Sequence, residues 1–569
     1  MKTLTFDQTW VEKTLNSLSL DEKIGQVLMF RQFGWSKDEI DTTERDLARF
    51  QPGGHFTMRA TVEGLLLGMP RLSQTTRIPL LFASDFESGP AHIMFCGARF
   101  PRPMCRGRKG TAKDEYEMGR ITAVQGRAMG AQLTFNPVLD LNTHPLNPDV
   151  NVRAYGDDLR TVTRLAIPHI QGLQDHGMLA APKHFPGNGG TSMDPHLSPA
   201  VINTSASRYR KNWIEAYRRA FAEADPAALM AGFIVVPSIM SERDPRTGSL
   251  IPASLSRQML TDLLRGELGF KGLIVTDALN MGGAINVFSR EELPAKALAA
   301  GADMLLCFDG VGVLEPEVKG LRRALERGEL KEERLNDAVR HVLEAKAKAG
   351  LDRERTTFIN DEEKLRAVLA PEPALNRRIV RKGLTVLANR AGTLPLRDLA
   401  GKRVFMINTY NPGRQAYFDR GNPANPDTLA DGLRARGAVV EALDIEDDSP
   451  AGTFGKALAK VAEADLTFFN FFIMPSWAIG HLTPPKEAVR TLFGGILTIG
   501  KIPPVITLFG DPYARQFCHT APTCVCTFDD TRETFEAIVK VWCGEQPARG
   551  RMPVSMEGIF KRGDGVDLG

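Results

Sequence analysis

Eight short apolar segments, separated by stretches with helical periodicity, recur between residues 23 and 308 of this chain. Strands that alternate with helices pair in parallel, and eight such units are the number that closes a TIM barrel. The predicted strands are Lys23–Phe30, Gly54–Met58, Pro79–Asp85, Gln132–Leu141, Met178–His184, Ala228–Pro237, Gly272–Asp277 and Ala302–Phe308. We therefore expect an α/β fold with an N-terminal (β/α)8 barrel.

Signals at the ends of the helical segments support this alternation. Ser19-Leu-Asp-Glu22 is a capping-box pattern that precedes the first apolar segment. Residues 254–268 have helical periodicity and stop at Gly269, a residue type that commonly ends helices. Residues 315–351 are charged and favour a helix, so we expect them to close the barrel.

A second group of strand-like segments follows residue 378. These predicted strands are Leu384–Leu387, Lys402–Ile407, Ala438–Leu443, Leu466–Phe472, Val505–Phe509 and Cys524–Phe528. Residues 352–378 are charged, contain proline and carry no strand pattern. We predict a barrel domain at 1–351, a linker at 352–378 and a smaller open α/β domain at 379–569, because a chain of 569 residues is too long for one domain.

The composition names no macromolecular partner. Lys and Arg number 71 against 68 Asp and Glu, and this near balance favours neither nucleic acid nor a membrane surface. The seven cysteines are odd in number and lack metal-site spacing, which favours free thiols in a reducing compartment. The N-terminal segment has no apolar core of a signal peptide, so we expect a cytoplasmic protein.

Charged residues directly after the predicted strands are the main candidates for chemistry. Asp85 ends the third strand, the fourth strand runs on to Asp140, Lys183 and His184 end the fifth, and Asp277 ends the seventh. The active sites of TIM barrels form at the C-terminal ends of the strands. A charge beside a buried strand is costly unless it is paired or used, so these residues are expected to share a functional rim.

The segment after the fifth strand holds a second cluster. Gly187-Asn-Gly-Gly190 is followed by Asp194-Pro-His196, and residues two apart in an extended segment share a face. A carboxylate beside an imidazole fixes its tautomer and raises its basicity, which suits proton transfer near neutral pH. We expect the glycines to make this segment mobile, so that it closes over a bound ligand.

These two clusters fit glycoside hydrolysis with retention of configuration. That reaction needs a carboxylate nucleophile and an acid/base group that first protonates the leaving oxygen. Asp277 suits the nucleophile because it ends a rigid strand. His196, held by Asp194, suits the acid/base because an imidazole titrates near pH 7.

Several motifs in the same order resemble glycoside hydrolase family 3, in particular its bacterial β-N-acetylglucosaminidase branch. The matching segments span nearly the whole chain. They are Leu18–Gly25, Lys183-His-Phe-Pro-Gly187, Leu264–Gly272, Val275-Thr-Asp-Ala-Leu-Asn-Met281, Val505–Gly510 and Gly550–Val554.

The resemblance implies a barrel, an α/β sandwich domain, no metal or other cofactor, and release of a terminal β-linked sugar with retention. By motif position Asp277 resembles the nucleophile, and His196 with Asp194 resembles the dyad of the N-acetylglucosaminidase branch. Lys183, His184, Asp85 and Arg153 resemble ligands of the terminal sugar. The implied substrates are small carbohydrates released from cell walls or chitin.

The chain departs from the family pattern at several positions on the expected rim. The family's Asp-x-Glu-Gly-Gly-x-Val-x-Arg segment carries Ser88 in place of one glycine and Ile93 in place of the arginine. The second histidine of Lys-His-Phe-x-Gly-His-Gly is Asn188. These changes bear on the choice of sugar and leaving group and leave Asp277, Asp194 and His196 in place.

Each candidate also has a purely structural interpretation. Asp277 alone could cap a helix, Lys183 with His184 could be a buried pair, and Asp194 with His196 could be a solvated pair. Arg153 could pair with Asp157 or Asp158 on the surface, Asp85 could be structural, and Glu87 could support the loop or contact substrate.

Other functions remain as alternatives at this stage. Lys183 could form a Schiff base, as the lysine of barrel aldolases does, and His184, Asp194 and His196 could bind a metal. A non-catalytic carbohydrate-binding protein would need neither nucleophile nor proton shuttle. Within the family, a β-glucosidase, a broad-specificity exo-glycosidase and a phosphorolytic enzyme are the alternatives to an N-acetylglucosaminidase.

Overall fold

The computed structural model describes residues 6–32, 34–309, 314–411, 425–476 and 478–569, which form two compact units. The first comprises Met1–Ala98, Glu115–Leu141 and Thr163–Pro371, and the second comprises Arg99–Asp114, Asn142–Val162 and Glu372–Gly569. This division differs from the expected single cut, because two early segments belong to the second unit. In the described parts of the chain no helix is long and apolar enough to cross a bilayer.

Ten strands are described in the first unit. They are β1 (Leu28–Gln32), β2 (Gly54–Thr57), β3 (Leu81–Ser84), β4 (Leu133–Thr134), β5 (Leu179–Ala180), β6 (Ala200–Val201), β7 (Ala228–Ala231), β8 (Ile234–Val235), β9 (Leu273–Thr276) and β10 (Leu305–Asp309). β6 and β8 form a separate parallel pair. The other eight strands lie at the positions that the apolar segments predict.

Those eight strands close into a parallel ring. Six of them form a sheet in the order β10-β1-β2-β3-β4-β5, and β7 pairs with β9. Parallel bridges join the two groups at Phe185 with Ala231 and at Val275 with Met304. The Phe185 amide donates to Met230 O at 2.9 Å, and the Met304 amide donates to Ile274 O at 3.1 Å. The predicted α/β fold with a closed eight-stranded parallel arrangement is therefore confirmed.

The first predicted strand is wrong over its first half. Residues 20–26 form the helix Leu20–Gln26, and β1 begins only at Leu28. The reason is the capping box itself, since Ser19 Oγ accepts from the Glu22 amide while the Glu22 carboxylate accepts from the Ser19 amide. This nucleus starts a helical turn inside the apolar segment that suggested a strand.

The second unit is built on one mixed sheet. Its strands are β11 (Thr385–Asn389), β12 (Arg403–Tyr410), β13 (Val439–Ile445), β14 (Leu466–Ile473), β15 (Val505–Gly510) and β16 (Thr523–Cys526). Their order is β11-β16-β15-β14-β12-β13, with only the β11–β16 pair antiparallel. All six correspond to predicted strands.

Both faces of this sheet are buried. Along β14, Phe469 and Phe471 pack in one hydrophobic cluster, whereas Phe468 and Phe472 pack in the other. A strand that is covered on both faces carries apolar residues at successive positions, and β14 shows this pattern except at Thr467 and Asn470.

The helices that cover the two sheets have the following bounds. They are Gln8–Ser17, Leu20–Gln26, Lys37–Phe50, Val62–Thr75, Pro103–Arg106, Ala112–Ala128, Leu159–Asp175, Ala206–Tyr209, Glu215–Ala224, Gln258–Glu267, Gly282–Ile285, Leu293–Ala300, Glu315–Glu326, Glu332–Lys348, Glu362–Val368, Pro373–Gly383, Asp427–Arg434, Thr453–Glu463, Lys486–Phe493, Ile496–Ile499 and Arg532–Trp542. Of these helices, Glu362–Val368 lies in the segment expected to be a linker, and Pro373–Gly383 begins in it.

A buried acid, Asp303, ties several elements together just before β10. Its carboxylate accepts from Arg265 Nη2 at 2.5 Å, Arg334 Nη2 at 3.0 Å and the Ile274 amide at 2.9 Å. His341 Nδ1 lies 3.1 Å away. Burial alone would raise the pKa of Asp303, but the charges of His341 and the two arginines hold it well below its ordinary value.

We predict that Asp303→Asn lowers the free energy of unfolding by about 3 kcal/mol at pH 7, because it removes the buried counter-charge of two arginines that are each only 20% exposed. Since the folded-state pKa is lowered, the carboxylate stabilises the fold above the unfolded pKa, and that contribution declines as the pH falls below about 4. Urea denaturation of both proteins at pH 7 and pH 3.5 measures this. Asp262→Asn is the control, because Asp262 is 57% exposed and lies 3.5 Å from Arg257; equal midpoints for the Asp303 variant and the parent would contradict the prediction.

Candidate active site

The candidate residues of the first unit follow strands that end at one rim of the ring. Asp85 follows β3, Lys183 and His184 lie beyond β5, and Asp277 directly follows β9. Because all the strands are parallel, their C-terminal ends lie on the same side of the ring. The closed sheet therefore brings together residues that are far apart in sequence.

Lys183 forms a buried cluster with two carboxylates. Its Nζ lies 2.6 Å from Asp85 Oδ1 and 2.8 Å from Glu87 Oε1. The Lys183 and Glu87 side chains are 3% and 2% exposed, whereas that of Asp85 is 17% exposed. Two carboxylates favour the charged form of the amine, and a Schiff-base lysine must react as the neutral amine. This geometry argues against the aldolase interpretation.

His184 is held by Asp140 rather than by Lys183. His184 Nδ1 lies 2.7 Å from Asp140 Oδ2, and the His184 amide donates to Asp140 Oδ1 at 3.2 Å. Asp140 is fully buried. A carboxylate at Nδ1 fixes the orientation of the ring and the tautomer that it adopts. Lys183 and His184 are both buried, and carboxylates hold each of them, Asp85 and Glu87 in one case and Asp140 in the other.

The start of the segment after β5 is anchored by two aromatic side chains. Trp213 Nε1 donates to Asn188 O at 2.7 Å, and Tyr209 Oη donates to Gly187 O at 2.7 Å. Gly187 has a φ of +120°, and a Cβ there would lie 2.5 Å from Trp213 Cδ1. This position requires glycine for both reasons. The Asn188 amide also donates to Asp140 Oδ1, which joins the segment to the His184 cluster.

Asp194 and His196 form the expected contact. His196 Nδ1 lies 2.8 Å from Asp194 Oδ1, and the same oxygen accepts from the His196 amide at 2.9 Å. The Asp194 side chain is 1% exposed and that of His196 is 20% exposed. A buried carboxylate under a partly exposed imidazole is the arrangement of a proton-transfer dyad rather than of a solvated pair.

Hydrogen bonds between backbone groups bring this dyad to the segment that follows Asp277. The Gly282 amide donates to His196 O at 2.8 Å, and the Gly283 amide donates to Pro195 O at 3.0 Å. Asp277 itself is fixed by its amide, which donates to Ala231 O at 2.8 Å, and by its Oδ1, which accepts from the Ala278 amide at 2.8 Å.

The helix-cap interpretation of Asp277 is wrong. The next helix, Gly282–Ile285, has Met281 as its N-cap residue. Asp277 and His196 are both partly exposed, and the segments that carry them are joined by the two backbone hydrogen bonds described above.

Arg153 belongs to the second compact unit, whereas the other candidate residues belong to the first. Its Nη1 contacts Asp149 Oδ1 at 2.5 Å and Asp149 O at 3.0 Å. Asp157, the partner expected from the surface interpretation, pairs with Arg562 at 2.6 Å.

The altered family positions are buried in the first unit. Ser88, Ile93 and Asn188 are each at most 2% exposed. The Ile93 carbonyl accepts from the Arg59 amide at 2.9 Å, and the Asn188 carbonyl and amide are both bonded as described above. All three side chains are therefore covered by the rest of the protein and are not exposed on the rim.

The sequence does not predict several contacts at this rim. It marks Asp140 as a strand-end charge but not as the partner of His184, and it leaves Glu87 between loop support and substrate contact. Trp213, which donates to Asn188 O, carries no signal in the sequence. The glycine pair at 282–283 carried the clearest available signal, since two adjacent glycines begin a short helix just after a functional strand end. Arg31, which donates to Asn280 Oδ1 at 3.1 Å, had no signal in the sequence.

The chain matches a known family over more than half of its length. Residues 19–345 match the model described as the glycosyl hydrolase family 3 N terminal domain. The chain is 25% identical over 564 residues to the β-N-acetylglucosaminidase/β-glucosidase of Cellulomonas fimi, an alignment that covers 96% of this chain and 95% of the relative. It is 35% identical over 236 residues to a β-hexosaminidase of Pseudomonas aeruginosa, covering 41% of this chain and 68% of the relative.

A solved structure has the same fold over nearly the whole chain. It is a β-glucoside phosphorylase, BglX, bound to 2FGlc, with a TM-score of 0.86 and 25% identity over 98% of both chains. Together with the family match and the strand-end acids, this shows that the chain belongs to glycoside hydrolase family 3 and is a glycoside hydrolase.

Proposed function

We propose that the protein is a retaining, exo-acting β-N-acetylglucosaminidase in which Asp277 is the nucleophile and His196 the acid/base. The single observation that carries this proposal is the attachment of the Asp194–His196 segment to the helix Gly282–Ile285, which follows Asp277 in the chain. A carboxylate and a carboxylate-supported imidazole on one rim are the two groups that double displacement requires.

In the first step, an Asp277 oxygen attacks C1 of the terminal sugar while the bond from C1 to the leaving oxygen breaks. His196 gives a proton to that oxygen, and Asp194 stabilises the ring because its Oδ1 lies 2.8 Å from Nδ1. The proton that moves is then the one on Nε2. The product is a glycosyl ester on Asp277 and a neutral leaving group.

In the second step, His196 takes a proton from a water molecule as its oxygen attacks C1. The ester bond breaks, the sugar leaves with its configuration retained, and Asp277 is restored as a carboxylate. His196 returns to its protonated form, so the cycle closes without any other reactant.

The terminal sugar is proposed to bind at Asp85, Lys183 and His184. Asp85 is the most exposed member of the Lys183 cluster, so its carboxylate suits a sugar hydroxyl. Lys183 and His184 offer an ammonium and an imidazole that are already oriented by buried carboxylates, which avoids ordering costs on binding. Arg153 is included by its motif position alone.

The preference for N-acetylglucosamine is supported by two observations. The dyad uses histidine and aspartate, as expected for the N-acetylglucosaminidase branch. The relatives from Cellulomonas fimi and Pseudomonas aeruginosa are named a β-N-acetylglucosaminidase/β-glucosidase and a β-hexosaminidase. We propose cell-wall or chitin fragments as the source of the substrate. The seven free cysteines support a reducing, cytoplasmic setting.

Asp277→Asn is expected to lower kcat by more than about 10⁴-fold, the scale reached when a covalent nucleophile is removed. The variant should keep the circular dichroism spectrum and melting temperature of the parent. Mass spectrometry after trapping the parent with a 5-fluoro glycosyl fluoride should place the sugar on the peptide that contains Asp277. Asp262→Asn serves as the control, and substantial turnover by the Asp277 variant would refute the mechanism.

Specificity is tested with aryl glycosides that differ only in the sugar. We expect kcat/KM for the β-N-acetylglucosaminide to exceed that for the β-glucoside by about tenfold or more, since a pocket that pairs the amide leaves polar groups unpaired with glucose. A preference for the glucoside would overturn the assignment.

The role of the dyad is tested by replacing the acid/base group. The role would be overturned if His196→Ala kept its kcat for substrates with poor leaving groups while replacement of a glutamate of the second unit by alanine abolished kcat.

Phosphorolysis is the second candidate, because the structure that shares this fold over 98% of both chains is a β-glucoside phosphorylase. A histidine acid/base would also repel a phosphate nucleophile less than a carboxylate would. Reactions with and without inorganic phosphate, analysed for sugar 1-phosphate, distinguish the two. We expect free sugar as the main product under both conditions. If sugar 1-phosphate were the dominant product, the enzyme would be a phosphorylase and the proposed hydrolysis would be wrong.

A further inference from the structure

The short helix Gly282–Ile285 contacts three consecutive carbonyl groups of the segment that carries His196. The Gly283 amide donates to Pro195 O at 3.0 Å and the Gly282 amide to His196 O at 2.8 Å. Asn286 Nδ2 donates to Leu197 O at 2.9 Å. The first amide groups of a helix have no acceptor within the helix, so the Pro195 and His196 carbonyl groups supply acceptors for them. The helix thus holds the segment on both sides of His196.

The two glycines are needed for their lack of a side chain. A Cβ at Gly282 would lie 2.3 Å from Leu197 O and 2.9 Å from His196 O. A Cβ at Gly283 would lie 2.6 Å from Phe233 Cβ and 2.8 Å from Pro195 O. Neither glycine is among the residues with positive φ, so the requirement is space for the approaching backbone and not an unusual backbone conformation. Any larger residue must push the segment away.

This helix also has a fixed relation to the nucleophile. Asp277 is held by Ala231 and Ala278, and Gly282 follows it by five positions in the chain. The backbone from the nucleophile to the His196 carbonyl is therefore one short path of covalent and hydrogen bonds. A shift of the helix moves the acid/base relative to the reacting carbon.

We propose that Gly282, Gly283 and Asn286 are positioning residues that set the distance between His196 and the leaving oxygen. They touch neither the substrate nor the reacting atoms, and they act through the backbone of the His196 segment. This inference rests on the proposed roles of Asp277 and His196. Its consequence is specific to proton transfer, because binding of the terminal sugar involves other residues.

The dependence of the rate on the leaving group separates positioning from general damage. A leaving group of low pKa departs without a proton, whereas an alkoxide must be protonated as its bond breaks. A misplaced His196 therefore slows the first step strongly for alkyl glycosides and weakly for dinitrophenyl glycosides. A distorted sugar site or partial unfolding would lower kcat/KM for both by the same factor.

The test uses Gly282→Ala and Asn286→Ala in the full-length enzyme. For Gly282→Ala we expect kcat/KM to fall about 10- to 100-fold with the methyl β-N-acetylglucosaminide and less than about threefold with the dinitrophenyl one. Asn286→Ala removes one hydrogen bond of an exposed side chain, so we expect the same pattern at about three- to tenfold. If Gly282→Ala does not fold, Asn286→Ala still tests the positioning role.

Gly266→Ala is the matched control, because a Cβ at Gly266 meets only Thr261 O, at an ordinary distance of 3.5 Å. We expect this variant to retain parental kcat/KM with both substrates. A second readout is azide, which attacks C1 of the glycosyl ester without needing a base and should restore kcat of Gly282→Ala with the dinitrophenyl substrate.

Equal losses with both leaving groups, or no loss in either variant, would overturn the positioning role. Failure of the proposed function has a different signature, since Asp277→Asn would then remain active. If Asp277→Asn is inactive and His196→Ala shows the steep leaving-group dependence while Gly282→Ala and Asn286→Ala do not, the mechanism stands and this inference alone is rejected.

Discussion

Closure of the parallel ring is the constraint on which the arrangement of the first unit depends. Two bridges, at Phe185 with Ala231 and at Val275 with Met304, join a six-stranded sheet to a two-stranded one. A closed sheet has no free edge, and its parallel strands must all end on the same side. The residues after β3, β5 and β9 therefore share one rim, although no local feature of the chain relates them.

The charged and titratable side chains on that rim are already oriented by neighbouring carboxylates. Lys183 is held between two carboxylates, and His184 and His196 each have a carboxylate at Nδ1. Breaking a buried pair of this kind is costly, so each partner restricts the other to one orientation. The same contacts that stabilise the rim thus prepare it to bind a sugar and to transfer a proton.

The most informative link is the one between the two groups proposed to perform the chemistry. The dyad and the nucleophile lie on different segments, and the glycine pair at 282–283 lets the two backbones approach closely. Residues beyond the acid and the base therefore become relevant to the reaction, because they set a distance rather than supply a functional group.

Much of this protein was determined by sequence alone, because strand burial and strand-end charges are local properties. The eight ring strands, the six strands of the second unit, and Asp85, Lys183, Asp277 and the Asp194–His196 contact all follow from short patterns. Three features were decided by the tertiary structure alone. Residues 99–114 and 142–162 join the second unit, and residues 20–26 form a helix. Asp140 pairs with His184, Glu87 pairs with Lys183, and the glycine pair bonds to the His196 segment. These outcomes depend on contacts between segments distant in sequence, and no local periodicity records which distant segment will supply the partner.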